Sequence, residues 1–130
     1  MSQKSDPGKA GRRTVFFVSD QTGVTAETLG RSLLTQFEAH DFDQVTLPFI
    51  DSVDKADEVV RRINAVAAEE GRRPIVFSTL VQDELRGRFA GVSGLFLDFF
   101  DAFLSPLEQE LQTRSSHTAG RAHGMNDSGA

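Results

Sequence analysis

The chain has 130 residues, which is about one domain, since a domain typically uses roughly 150 residues. Hydrophobic residues make up 38% and charged residues 25%, which is enough apolar material for one core and too much for an intrinsically disordered chain. The absence of cysteine excludes disulfides, thiolate zinc sites, iron–sulfur clusters and a cysteine nucleophile, and predicts a cytoplasmic protein. No apolar run reaches the 18 residues of a membrane span and the start lacks a signal-peptide core, so we expect neither membrane insertion nor export.

Charge is spread unevenly along the chain. Residues 1–13 carry four basic side chains against one acidic side chain, and residues 115–130 are balanced, so the segment between them is strongly acidic. A segment of this charge has no broad basic face for a nucleic-acid backbone, and we expect no nucleic-acid partner. The basic head 1–13 has the composition of a flexible terminus.

The first ordered elements are a strand and a helix. Thr14–Val18 is an apolar, β-branched and aromatic run that ends in a polar turn, which is typical of a buried strand. From Thr25 to about Ala39, Leu29, Leu33 and Phe37 recur every four residues. This spacing predicts a helix.

The next strand and helix are predicted for residues 45–71. Val45–Ile50 has strand composition, and Pro48 within it lacks the amide that a central strand needs, which favours a sheet edge or a bulge. Asp54–Gly71 carries one apolar stripe, and Gly71 is a typical helix end. This is the clearest helix in the sequence.

The second half repeats the alternation of strands and helices. In order we predict a central strand at Ile75–Phe77, a helix at Leu80–Phe89, a short strand at Leu95–Leu97 and a helix at Phe99–Leu111. Pro106 marks a kink or a new start in the last helix. The pattern as a whole predicts an α/β domain over residues 14–114, with about four short strands in a mainly parallel sheet flanked by helices, and an irregular tail over 115–130.

Two polar clusters follow predicted strands, where parallel sheets bind ligands. The first joins a strand end to a helix start, where free amides and the helix dipole favour an anion. Its candidate phosphate-binding residues are Ser19, Asp20, Thr22, Gly23 and Thr25. The alternative is a structural turn in which Asp20, Thr22 or Thr25 caps the helix and Gly23 adopts a turn dihedral. The cluster has no second glycine and no lysine, so it is not a Walker A loop.

A second hypothesis makes Asp20 the nucleophile of a small phosphatase that forms an aspartyl phosphate. This chemistry requires magnesium, a lysine and further acids, for which the chain offers Lys55, Asp98 and Asp101. The simpler interpretation of Asp98 and Asp101 is a solvated helix start.

Secondary candidates are Ser78 and Thr79, which follow the central strand, and three residues of the tail, His117, Arg121 and His123. His40 is interpreted as a solvated residue or a dipole partner at a helix end. The histidines have no recognisable metal-ligand spacing, so we assign no metal site, and we assign no catalytic residue.

Several blocks in order resemble the phosphoenolpyruvate synthase regulatory protein family, whose plant relatives regulate pyruvate, phosphate dikinase. The blocks are TVFFVSDQTGVTAETLGRSLLTQF, VTLPFIDSVDKADEVVRRIN, RRPIVFSTLV and LDFFDAFLSPLEQEL followed by SSHTAGRAHGM, which together span Thr14 to Met125. The resemblance implies a bifunctional enzyme. One activity is an ADP-dependent serine/threonine kinase that phosphorylates a threonine of the synthase, and the other uses inorganic phosphate to remove that group and releases pyrophosphate.

Two departures from the family pattern shape our expectations. The family has SDGTG where this chain has SDQTG, so Gln21 restricts a backbone position that glycine leaves free. The family's glycine-containing nucleotide loop lies in a C-terminal domain, and nothing after Met125 resembles it. We therefore expect this chain to be an N-terminal portion that is inactive alone and binds no cofactor. ADP and inorganic phosphate would be substrates of the longer protein. Its partner would be either phosphoenolpyruvate synthase or the enzyme pyruvate, phosphate dikinase. We also expect that a homodimer can form.

Overall fold

The computed structural model describes residues 12–115, which form four strands in alternation with four helices. The strands are β1 (Arg13–Val18), β2 (Phe42–Leu47), β3 (Ile75–Ser78) and β4 (Leu95–Asp98). The helices are α1 (Val24–Leu34), α2 (Val53–Glu70), α3 (Asp83–Gly87) and α4 (Phe99–Leu111). The predicted α/β class is confirmed.

All four strands are parallel, in the order β2-β1-β3-β4. In the register of the sheet, Val15 lies between Gln44 of β2 and Ile75 of β3. Strand β3 lies between β1 and β4, so the central position predicted for it is confirmed, and β2 is an edge strand. The predicted strand Val45–Ile50 is shifted, because β2 starts at Phe42 and ends before Pro48.

Side chains of the central strands alternate between two cores, as the strand pleat requires. Phe16 and Val18 point into a core shared with α2 and α3, and Val15 and Phe17 point into a second core shared with α1 and the first residue of α4. In this second core Phe77 stacks on Phe17 with 5.8 Å between the ring centroids. The molecule thus has three layers, with helices on both faces of the sheet.

Helix α2 agrees closely with the prediction for Asp54–Gly71. The Ser52 hydroxyl accepts a hydrogen bond from the Lys55 amide, and Gly71 ends the helix in the left-handed conformation. Ala56 and Ile63 of the predicted stripe are fully buried. None of the helices within residues 12–115 has the length and apolar character that a membrane crossing requires.

The helix predicted for Thr25–Ala39 is confirmed as a helix, but the prediction is wrong in its end. Helix α1 ends at Leu34, and a turn follows. Its buried residues are Ala26, Gly30 and Leu34, whereas the four-residue repeat of leucine and phenylalanine is exposed. A β-carbon on Gly30 would lie 2.5 Å from the Phe17 ring, so glycine is what lets the helix approach the sheet this closely.

Three further boundaries differ from prediction. The helix predicted for Leu80–Phe89 is only the five-residue α3, because Leu80 and Val81 enter the core as a loop. The short strand β4 extends one residue further, to Asp98, and α4 continues through Pro106 to its predicted end. Strand β1 begins at Arg13, one residue before its predicted start at Thr14. Arg13 donates to the Arg73 carbonyl at 2.6 Å, and Arg12 binds Asp43 at 2.5 Å. The rest of the head and the tail after residue 115 lie outside the described residues.

Candidate functional site

The candidate site lies where the chain reverses its direction of travel across the sheet. From β1 the chain passes through α1 to β2 on one side, and β3 returns to the other side of β1. The carboxyl ends of β1 and β3 are adjacent, because Val18 pairs with Ser78. Ligands of open parallel sheets bind in the crevice outside such a switch point.

Two loops meet at this point and are joined by hydrogen bonds. The Thr79 amide donates to the Val18 carbonyl at 3.0 Å. The Val81 amide donates to the carboxyl Oδ2 of Asp20 at 3.4 Å. Asp20 therefore ties the loop after β1 to the loop after β3.

Burial of Asp20 changes the pKa of its carboxyl group. The residue is only 9% exposed, and this burial raises the pKa of its carboxyl, although the hydrogen bond from the Val81 amide opposes the shift. Burial and this hydrogen bond thus act in opposite directions on the pKa of the carboxyl, and burial has the larger effect.

The turn between β1 and α1 leaves the start of the helix open. Gly23 is the N-cap residue, in the left-handed conformation with φ 91°, and provides no side chain to cap the helix. A β-carbon on Gly23 would lie 2.8 Å from the Thr46 methyl group, so dihedral and space both require glycine here. The capping alternative is wrong for Asp20 and Thr25, while the Thr22 hydroxyl accepts a long 3.4 Å bond from the Val24 amide.

The hydroxyls of the first cluster are not equally available to a ligand. Thr22 and Thr25 are exposed, whereas Ser19 is 3% exposed and its hydroxyl accepts a hydrogen bond from the Gln21 amide at 3.0 Å. A ligand at this turn would meet the helix amides and the two threonines first. Ser19 instead stabilises the turn.

The loop after β2 forms hydrogen bonds to the backbone of the turn that contains Gln21. The Phe49 amide donates to the Gln21 carbonyl, and the Ile50 amide donates to the Ser19 carbonyl, both at 2.9 Å. The exposed Phe49 has a φ of 60°, an unusual conformation for a phenylalanine. This loop was not predicted, because the apolar residues continue past the end of β2 at Leu47 and the whole run Val45–Ile50 was interpreted as one strand.

The secondary candidates have different outcomes. Ser78 and Thr79 lie beside the first cluster, but both are buried, and the Ser78 hydroxyl accepts from the Leu80 amide at 3.1 Å. His40 lies just before β2, at the opposite end of the sheet from the site. The tail candidates His117, Arg121 and His123 lie outside the described residues.

The groups needed for aspartyl-phosphate chemistry have other partners. Lys55 pairs with Asp51 at 2.9 Å. Asp98 and Asp101 both pair with Arg86, at 2.6 and 2.9 Å. Within residues 12–115, no group of three or more histidine or acidic side chains is arranged to hold a metal ion.

Arg86 organises an ion-pair cluster that sequence reasoning missed. It also binds Asp83 at 2.7 Å, and the cluster borders an open cavity of about 570 Å³ at the edge of the sheet beyond β4. Burial alone would lower the pKa of Arg86, but hydrogen bonds to Asp98 and Asp101 outweigh it and hold the pKa above its ordinary value. The spacing of Asp83 and Arg86 on a helix was the one available signal.

The fold and the turn define a class of protein: a parallel α/β domain with an uncapped helix start at its switch point. Residues 15–129 match the family described as Kinase/pyrophosphorylase, and the chain belongs to that family.

The chain is similar to relatives that carry the name "Putative phosphoenolpyruvate synthase regulatory protein", of which three are described here. That of Janthinobacterium sp. (strain Marseille) is 52% identical over 128 residues, which is 98% of this chain and 45% of the relative. Those of Alkalilimnicola ehrlichii and Pseudomonas putida (strain GB-1) are 53% and 52% identical, over 89% and 88% of this chain and 42% of each relative. The chain therefore spans less than half the length of the relatives that it matches.

Proposed function

We propose that this chain forms the N-terminal part of a bifunctional enzyme that regulates phosphoenolpyruvate synthase. The enzyme would phosphorylate a threonine of the synthase with ADP as the donor, and would remove that phosphate with inorganic phosphate, releasing pyrophosphate. The family description joins a kinase to a pyrophosphorylase, and the names of the relatives point to this synthase as the target. We place the enzyme in the cytoplasm, where its nucleotide and its target would be available.

Within that enzyme, we assign phosphate binding to the turn between β1 and α1. The observation that carries this assignment is the start of α1, where the N-cap residue Gly23 provides no side-chain cap and the Val24 amide has only a long 3.4 Å bond to the Thr22 hydroxyl. Such amides point outward with the positive end of the helix dipole behind them, which suits a phosphoryl oxygen. Thr22 and Thr25 would add hydroxyl donors.

The assignment predicts weak and local binding of inorganic phosphate. Each exposed hydrogen bond contributes only about 1 kcal/mol, so a few of them give millimolar affinity. Titrating phosphate into the chain at constant ionic strength, while following backbone amide shifts by NMR, should move the amides of residues 22–26 most. Thr22→Val should weaken this response several-fold.

A matched control is available on the same helix. Thr28 is exposed one turn further along α1, so Thr28→Val removes a hydroxyl without touching the helix start and should leave the titration unchanged. If the largest shifts instead fall on Arg12 and Arg13, phosphate is held by nonspecific attraction and the assignment is wrong. That outcome would leave the regulatory activity of the longer protein open, since activity is measured separately.

A further inference from the structure

Large apolar side chains are exposed on one side of the sheet and covered on the other. Among residues 12–115, α2 and α3 contribute no large hydrophobic residue to the exposed set. The opposite layer and the β4 edge contribute nine, and all of them except Val24 at the start of α1 form what we name the open face: Leu29, Leu33, Phe37, Leu95, Leu97, Phe103, Leu107 and Leu111.

Helix α4 contributes the most exposed part of the open face. Of its 13 residues only Phe99 is buried, where it stacks on Phe77. Beyond that anchor, Phe103, Leu107 and Leu111 recur every four residues and are 64%, 51% and 67% exposed. A stripe at this spacing is the buried face of an ordinary amphipathic helix. Here the described residues leave it uncovered.

Strand β4, beside that helix, also has apolar side chains that the described residues leave exposed. Phe96 packs into the core under α2 and α3, and the alternation of a strand directs Leu95 and Leu97 to the other face. Both leucines are 37% exposed. Parallel sheets are normally covered on both faces. The open face therefore has room for another packed element over β4 and beside α4.

We propose that the open face packs against the remainder of the longer family polypeptide. The Janthinobacterium relative matches 98% of this chain with only 45% of its own length, so more than half of that protein is additional. The inference rests on the proposed function, in which this chain is the N-terminal part, so that the additional polypeptide would follow α4, the last described helix and a part of the open face. An apolar surface of more than a few hundred Å² usually marks such an interface.

The charges on α4 argue against a second copy of this chain as the occupant. Asp101, Glu108 and Glu110 are the charged residues of this helix, and it contains no lysine or arginine. Asp101 is paired with Arg86, but two copies that joined their α4 stripes would also bring Glu110, and Glu108 with its bond from the Ser115 amide, towards the same residues of the other copy, which is unfavourable. A different surface, with apolar side chains and a neutral or basic rim, fits better.

The absence of cysteine from the chain allows a direct test by thiol labelling. Leu107→Cys and Leu33→Cys place a thiol on the open face, and Glu58→Cys places one on the exposed side of α2 as the control. None of the three substitutions removes a buried side chain. Each variant is made in the 130-residue chain and in a chimera that joins this chain to the remainder of the Janthinobacterium relative, and the rate of maleimide labelling is measured. The parent chimera without an added cysteine corrects for thiols of the remainder.

We expect labelling at positions 33 and 107 to be at least tenfold slower in the chimera than in the chain, with no change at position 58. Equal rates in the two proteins at positions 33 and 107 would overturn the proposal. Labelling at these positions that slows as the concentration of the 130-residue chain rises would identify a second copy as the occupant and would also overturn it. The readout is a labelling rate, so it is independent of the proposed phosphoryl transfer.

Discussion

Asp20 shows how one residue can link the sheet to the candidate site. Its carboxyl group receives the Val81 amide across the gap between two loops, and its burial makes the charged form unfavourable. The sequence identified Asp20 as a polar residue after a strand. It did not reveal the burial, because the residues that bury it come from loops distant in the chain.

The raised pKa of Asp20 gives a pH dependence with a defined sign. The ordinary aspartate pKa of 3.8 applies to the unfolded chain, and the folded pKa is higher, so the folded state binds the proton more tightly. The resulting stabilisation is complete below 3.8 and is lost as the pH rises through the folded pKa. Asp20→Asn, which keeps a side-chain oxygen for the Val81 amide, should therefore raise the thermal midpoint at neutral pH. The gain should disappear below pH 3.8.

Asp51 is a control of opposite sign for the same measurement. The hydrogen bond and charge of Lys55 lower the pKa of this exposed carboxyl, so its contribution is present above the unfolded pKa and is lost as the pH falls through the folded pKa. Asp51→Asn should lower the midpoint slightly at neutral pH and should have no effect in acid. An Asp20→Asn midpoint below that of the parent at neutral pH would show that the carboxylate form stabilises the fold.

At the scale of elements, the residues that are buried are those of the apolar repeat in α2, but not in α1. In α2 the apolar stripe faces the core, so the same residues fix the helix and its orientation. In α1 close packing needs small residues, and Ala26 and Gly30 are the ones that face the sheet. The repeat through Leu29 and Leu33 correctly indicated a helix but could not indicate its buried side, since a periodicity does not say which surface is covered.

Edges and loops were the elements that the sequence described least well. After Phe42, strand β2 continues with Asp43 and Gln44, whose polar side chains are tolerated because an edge strand is partly solvated. The loop at Leu80 and Val81 is apolar because it closes the core above the sheet, which made it resemble the start of a helix. In both cases tertiary position, rather than local propensity, determined the structure.

The agreement for α2 leads to a prediction about stability. Ile63 is fully buried in the middle of that helix, so Ile63→Asp places an unpaired carboxylate in the core and should cost several kcal/mol of unfolding free energy. Ala65 is exposed on the same helix, and Ala65→Asp introduces the same side chain at small cost. Urea unfolding measures both. Similar midpoints for the two variants would show that the stripe does not face a core.

At the scale of the whole molecule, the features of this chain favour recognition and packing over chemistry. The switch point offers amides and hydroxyls that could hold a phosphate, and the open face offers apolar contacts. Phosphoryl transfer requires more, because the transferred group is stabilised by loop amides, a lysine and a metal ion. Lys55 is the single lysine after the head of the sequence, and it pairs with Asp51.

We therefore expect the 130-residue chain to be inactive by itself. Incubated with ADP, magnesium and phosphorylated phosphoenolpyruvate synthase, it should add no phosphate to threonine above a reaction without the chain, as measured by mass spectrometry of the synthase. The chimera with the remainder of the Janthinobacterium relative is the matched comparison, because it contains the same residues and should restore transfer. Threonine phosphorylation by the chain alone would contradict this expectation and would require a catalytic site within its own α/β domain. A chimera that binds the synthase without transferring phosphate would instead count against the proposed activity, while leaving the packing of the open face to be decided by its labelling rates.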